Sequence, residues 1–204
     1  MAVRVAIKEK VMQCLNELHP NPNNGTLNSI MEFNIDGFLD EAGKRVALSA
    51  PLSALGGGVD SDTIALTALA DGSGRIKLPA DFLRLIRFRM TGWHRPVTGN
   101  EVIKEDSPIY ALQFNKLTRG GNAKPVVAIV KGNRTLEYYS VKDGDEHKID
   151  EFSYFPYDSL DEEFPISLFE PTAWMTTALL FDVMQEGANA EMARNKCNEL
   201  LQML

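Results

Sequence analysis

The hydrophobic period of this chain changes twice, and few folds accommodate such a change. Near the start, Val3, Ile7, Val11, Cys14, Leu15 and Leu18 form one stripe, and Met31, Ile35, Phe38, Leu39, Ala42 and Val46 form a second. Spacings of three and four put apolar side chains on one helix face. Between Thr63 and Phe155 strand signals separated by turn residues fill the chain, with clean alternation from Ile86 to Met90. After Pro165 the helical period returns in Trp174, Ala178, Leu180, Phe181 and Met184, with Gly187 as stop, and again in Ala190, Ala193, Cys197, Leu200, Leu201 and Leu204. A helix with one apolar face needs another surface to cover it, so the terminal helices are expected to pack together and the strands to protrude. The expected fold is α+β: a helical bundle built from N- and C-terminal helices, carrying an inserted antiparallel β-sheet or small sandwich. The expected divisions are 1–55 for the N-terminal helices, 56–165 for the β module and 166–204 for the closing helices.

Turn-forming residues punctuate this plan. Pro20-Asn21-Pro22-Asn23-Asn24-Gly25 breaks the first helix, Ser29 and Glu32 have capping-box spacing, and Pro51 ends the second. Gly56-Gly57-Gly58 reads as a flexible linker, since no Lys-Ser or Lys-Thr follows at the offset of a phosphate-binding loop. Strands are expected at Thr63–Leu69, Arg75–Leu78, Ile86–Met90, Ile109–Phe114, Val126–Val130, Leu136–Val141 and Ile149–Phe155. Asp71-Gly72-Ser73-Gly74, Lys131-Gly132-Asn133-Arg134 and Asp143-Gly144-Asp145 have hairpin-turn composition, which favours an antiparallel meander or small sandwich.

Composition bounds the chemistry. With 204 residues, 44% of them hydrophobic, the chain can bury a core without disulfides. A net charge of -7 argues against coating nucleic acid by bulk attraction. The cations Arg84, Arg87, Arg89, Arg95, Lys116, Arg119, Lys124, Lys131 and Arg134 fall in the middle, and an acid-rich stretch from Asp143 to Glu163 follows. Such segregation suits charge-complementary contacts between copies or with a partner, and also a plain solvated surface. Cys14 and Cys197 sit in apolar registers as small fillers. His19, His94 and His147 lack ligands at metal-binding spacing, and no nucleophile and base stand in a recognisable arrangement. No metal, cofactor or catalysis is expected, nor any signal peptide or membrane span.

Candidate contact residues come from the strand at Ile86–Met90. Alternation puts Ile86, Phe88 and Met90 on one face, so Arg87 and Arg89 leave the core together, toward an acidic neighbour, a phosphate or solvent. Trp93 is an interface anchor or a core lid. On the last helix Ala190, Ala193, Leu200 and Leu204 pack either within the bundle or against another subunit.

The segment Gly74-Arg75-Ile76-Lys77-Leu78-Pro79-Ala80-Asp81-Phe82-Leu83-Arg84 resembles the LPxDfLRl signature of phage head-to-tail connector proteins of the tail tubular A, or gatekeeper, type. These belong with the ring and adaptor proteins of short-tailed phages, the crAss-like group included. The turn Trp93–Pro96, the strands Pro125–Ile129 and Tyr138-Tyr139, the aromatic Tyr154-Phe155-Pro156-Tyr157 and the closing helical pair are similar to that group as well. The resemblance implies a virion structural protein, assembled in the host cytoplasm, whose copies form a dodecameric ring. Its partners would be itself, the portal and neighbouring tail or ring proteins, with DNA passing through the channel. The rival is a non-catalytic tail or baseplate accessory, or a glycan-binding module, which would expose Tyr138, Tyr154 and Tyr157 as an aromatic platform.

Overall fold

The computed structural model describes residues 2–18, 25–60, 64–69, 71–132, 134–142, 144–156, 160 and 164–204, with 25–34 described by backbone alone. His19, the breaker at 20–24, the side chains of Ser29, Met31 and Glu32, Thr63, Asn133, Asp143, Tyr157, Asp158 and the acids at 161–163 lie outside the described residues. The chain forms two compact units, one of residues 1–56 with 157–204, the other of residues 57–156. The β module therefore closes at Pro156, where the sequence places its end at 165.

The helical unit consists of α1 (Ala2–Leu18), α2 (Gly25–Ser49), α4 (Phe169–Val183) and α5 (Gly187–Gln202). Val3, Ile7, Val11, Cys14 and Leu15 of α1 are buried, as their spacing requires. Arg4 pairs with Asp40 and Lys8 with Asp36, both at 2.5 Å. The opposite residue order of these pairs makes α1 and α2 antiparallel. The second helix begins at Gly25, so the Ser29 and Glu32 positions lie inside it and do not open it.

Helix α4 packs against α1, α2 and α5 and is the centre of the unit. It is buried nearly all round, from Pro171 to Phe181. Two of its threonines tolerate burial by returning their hydroxyls to the helix, Thr176 to the Thr172 carbonyl at 2.8 Å and Thr177 to the Ala173 carbonyl at 2.9 Å. The turn into α5 is made by Gln185 at φ 61, with the Glu186 amide donating to the Phe181 carbonyl at 2.9 Å. That is a left-handed helix cap. Gly187, read from the sequence as the stop, is instead the first residue of α5.

The β unit holds two four-stranded antiparallel sheets. One has the order β2 (Leu66–Ala68), β3 (Gly74–Lys77), β7 (Thr135–Tyr138), β6 (Val127–Val130). The other has the order β1 (Val59–Asp60), β8 (Ile149–Pro156), β4 (Phe82–Met90), β5 (Val97–Thr98). Ile76, Val127, Leu136 and Tyr138 of the first sheet share one core with Leu85, Phe88, Met90, Phe152 and Tyr154 of the second, and the module is a small sandwich. Val59 opposite Tyr154 makes the first and last strands neighbours, so the module starts and ends at one place, as an insertion must.

Four expectations are corrected. Gly58 is not part of a slack linker: its φ is +71, and a Cβ there would stand 2.6 Å from Ile86 Cδ1 and 2.7 Å from the Tyr154 carbonyl oxygen. The segment expected as a strand at Ile109–Phe114 is a short helix, α3 (Pro108–Leu112). Ser107 caps it, its Oγ accepting from the Ile109 amide at 3.3 Å, and Pro108 supplies the preset first turn. Gly144 and Asp145 do not sit at a hairpin tip, because β7 and β8 belong to different sheets. Finally, Leu85, Phe88 and Met90 face the sandwich core, whereas Ile86, though buried, lies outside that cluster. Leu85 pairs with Tyr154 and Arg87 with Ser153, so Ile86 is the extra residue of a bulge that returns Phe88 to the inner face.

Candidate assembly surfaces

The segment that carries the family resemblance conducts the chain from one sheet to the other. Arg134 Nη2 donates to the carbonyls of Pro79 at 3.0 Å and Ala80 at 2.8 Å, and the Leu78 amide donates to the Arg134 carbonyl at 3.0 Å. The Tyr154 hydroxyl donates to the Asp81 carboxylate at 3.0 Å, and the Phe82 and Tyr154 rings stack at 5.6 Å. Each named residue of this segment thus has a partner within the sandwich, and its role here is to hold the crossover.

Arg87 and Arg89 lie on the outer face of the second sheet, and each faces an acid of the adjacent strand. Arg87 Nη1 is 3.6 Å from Glu151 Oε1, and Arg89 Nε is 3.9 Å from Asp150 Oδ2. Asp150 also accepts from the Thr91 hydroxyl at 2.6 Å, while Arg89 Nε is buried without a hydrogen bond. Each arginine of the stripe is therefore matched by an acid of its own chain. Trp93 is a core lid: it is buried, meets Phe88 edge-on at 5.5 Å, and its Nε1 donates to the Ser140 carbonyl at 3.0 Å. Ala190 and Ala193 are fully buried, Leu200 is half-buried, and Leu204 is exposed beside Met203 at the end of the chain.

The sequence-based reading missed a second surface, over the outer face of the first sheet. Glu137 is buried there, and its carboxylate accepts from Arg75 Nε at 2.8 Å, the Tyr110 hydroxyl at 2.9 Å and the Tyr139 hydroxyl at 2.5 Å. Burial and this carboxylate push the Tyr139 phenol far above its ordinary pKa. Phe114 meets Tyr110 edge-on at 5.1 Å and Tyr139 at 6.1 Å, which fixes α3 and the turn after it on the sheet. From that platform Ile109, Leu112, Phe114 and Leu117 project into solvent, Leu117 with 93% of its surface exposed. The only signal in the sequence is the i, i+3 spacing of Ile109 and Leu112 behind Ser-Pro, too short a repeat to separate from alternation.

The aromatic platform of the rival reading is not formed by Tyr138 or Tyr154, which lie in the sandwich core. Among the described residues no group of three metal-ligating side chains comes together, and no helix is long and apolar enough to cross a membrane.

Charge is divided between the two units. The helical unit carries 7 basic and 15 acidic residues, and the β unit 14 basic and 13 acidic, net charges of -8 and +1. A scan of the sequence against protein-family models finds no match, and a search of the curated proteins finds none either.

Proposed function

We propose that this chain is a non-catalytic assembly protein whose copies form a ring in the head-to-tail connector of a tailed phage. In such a ring it joins the portal to neighbouring tail or ring proteins around the DNA path. The observation that carries the proposal is the division of charge, -8 on the helical unit against +1 on the β unit. A closed ring needs two different faces on each subunit, one for each neighbour. A strongly acidic unit and a nearly neutral one on the same chain supply two unlike faces, and repulsion disfavours pairing of the acidic units with each other. The exposed apolar group at Ile109, Leu112, Phe114 and Leu117 adds what a stable contact needs at its centre. The resemblance of residues 74–84 to the connector signature points the same way. In this role the arginine stripe serves contacts between proteins, and the overall acidity keeps the passing duplex from being gripped.

The test is electron microscopy and native mass spectrometry of the purified protein, alone and with its portal. A closed ring of about twelve copies stacked on the portal is the expected outcome. A protein that stays monomeric with the portal present overturns the proposal.

A further inference from the structure

The β unit contains an open cavity of about 550 Å³ in which the positive charges outnumber the negative. Lys116, Arg119 and Lys142 line it together with His94, and Asp71 is the one acid on its wall among the described residues. Arg119 is the unusual member. Its side chain is only 8% exposed, yet its one partner among the described residues is Asp71, at 3.4 Å from Nη1. Asp71 itself is shared: its other oxygen accepts from the Ser73 amide at 3.1 Å and the Ser73 hydroxyl at 2.6 Å. A guanidinium has five N–H donors, and one withdrawn from water is normally matched by a well-placed carboxylate or phosphate. Here the guanidinium makes one long carboxylate contact among the described residues and borders the open cavity.

The loop that carries Arg119 is fixed before any ligand arrives. The Gly120 amide donates to Gln113 Oε1, the Val126 amide to Ser140 Oγ and the His94 amide to the Asn122 carbonyl, each at 3.0 Å. Gln113 and Ser140 are themselves buried, so these clips are shielded from water. Gly120 has no room for a side chain, since a Cβ would lie 2.6 Å from Val126 Cγ2 and 2.7 Å from the Lys124 carbonyl oxygen. A rigid loop that presents a planar fork of donors beside two lysines is built for an oxyanion, because no ordering cost falls due on binding.

We infer that this cavity is an oxyanion receptor whose occupant is a carboxylate side chain from the helical unit of a second copy of this chain. The carboxylate is chosen over a free anion because that unit carries the excess negative charge and the receptor lies on the unit that does not. This assignment of the occupant rests on the assembly reading above; the receptor itself does not.

The experiment records amide resonances of the full chain during titration with a tetraglutamate peptide and, separately, with inorganic phosphate. The peptide is expected to shift the Gly120, Gly121 and Asn122 amides saturably and at lower concentration than phosphate. Arg119→Met should weaken peptide binding about tenfold, and Lys142→Gln, an exposed position that leaves the fold untouched, about threefold. Self-association measured by native mass spectrometry should weaken in parallel. Absence of a saturable shift, or equal binding by wild type and both variants, overturns the receptor. Phosphate saturating before the peptide overturns the carboxylate and assigns a phosphate-bearing ligand. Peptide binding with unchanged self-association in Arg119→Met overturns the second copy as its source. Peptide binding in a protein that never self-associates overturns the assembly reading and leaves the receptor standing.

Discussion

Gly74 shows how tightly single positions are specified in the sandwich. A Cβ there would fall on the Tyr138 hydroxyl and stand 2.8 Å from the Thr67 carbonyl oxygen, and Tyr138 cannot yield freely because its hydroxyl bonds His147 Nδ1 at 2.7 Å. Gly74→Ala is therefore expected to cost about 1–3 kcal/mol, the usual range for overpacking, read from the urea midpoint at constant slope. Buried acids of high pKa make the protein sensitive to alkali. Burial pushes the Cys14 thiol up to about 12, the Cys197 thiol up to about 11 and the Tyr138 phenol up to about 12. In the unfolded chain a thiol ionises near 8.5 and a phenol near 10, so above those values the folded state holds protons that the unfolded state has lost. Stability from these groups is full below about pH 8.5 and falls as pH rises, by about 1.4 kcal/mol per pH unit for each cysteine. Urea midpoints at pH 8 and pH 10 check the sign, and native thiols that react with iodoacetamide at pH 8 as fast as unfolded ones would contradict it.

Among the elements, β4 has the most to reconcile. It must present Leu85, Phe88 and Met90 inward and Arg87 and Arg89 outward, and the odd interval from 85 to 88 is absorbed by the bulge at Ile86. The outward arginines then meet Glu151 and Asp150 of β8. Reversal at both positions, Arg87→Glu with Arg89→Glu, would set two new carboxylates beside two existing ones. The fold is expected to lose about 1 kcal/mol, since exposed pairs are worth a few tenths to one each. Assembled particles should shrink to free subunits in sizing experiments if this stripe is a subunit contact. Particles of unchanged size would remove the stripe from the interface and leave its ion pairs with an intrachain role alone. Helix α3 makes a different point at this scale. Its five residues cannot declare a period by themselves, so alternation of apolar residues from Ile109 to Phe114 reads as a strand until the Ser107 cap and the Tyr110 contact with Glu137 are seen.

For the molecule as a whole, the separation of charge by unit predicts that association in the proposed ring is salt-dependent. Raising ionic strength from 0.1 M to 1 M shortens the screening length from about 10 Å to about 3 Å. Rings held by contacts between unlike units are expected to dissociate toward subunits over that range, as sedimentation would read. Rings that persist unchanged at 1 M would place the binding energy in the apolar surface near Leu117 and not in the charges. The helical stripes of α1, α4 and α5 were legible from the chain because a helix buries the face that its own local repeat defines, whatever it packs against. The same holds for β3 and the Phe152–Tyr154 part of β8, which alternate, and for β6, a continuous apolar run, all marked before any partner is known. The sorting of strands into two sheets, the bulge at Ile86, the burial of Glu137 beneath α3 and the gathering of Lys116, Arg119 and Lys142 around one cavity were not legible. These depend on hydrogen bonds and contacts between residues distant in sequence. A local repeat states which face a residue takes, and only the closed tertiary structure decides what stands opposite that face.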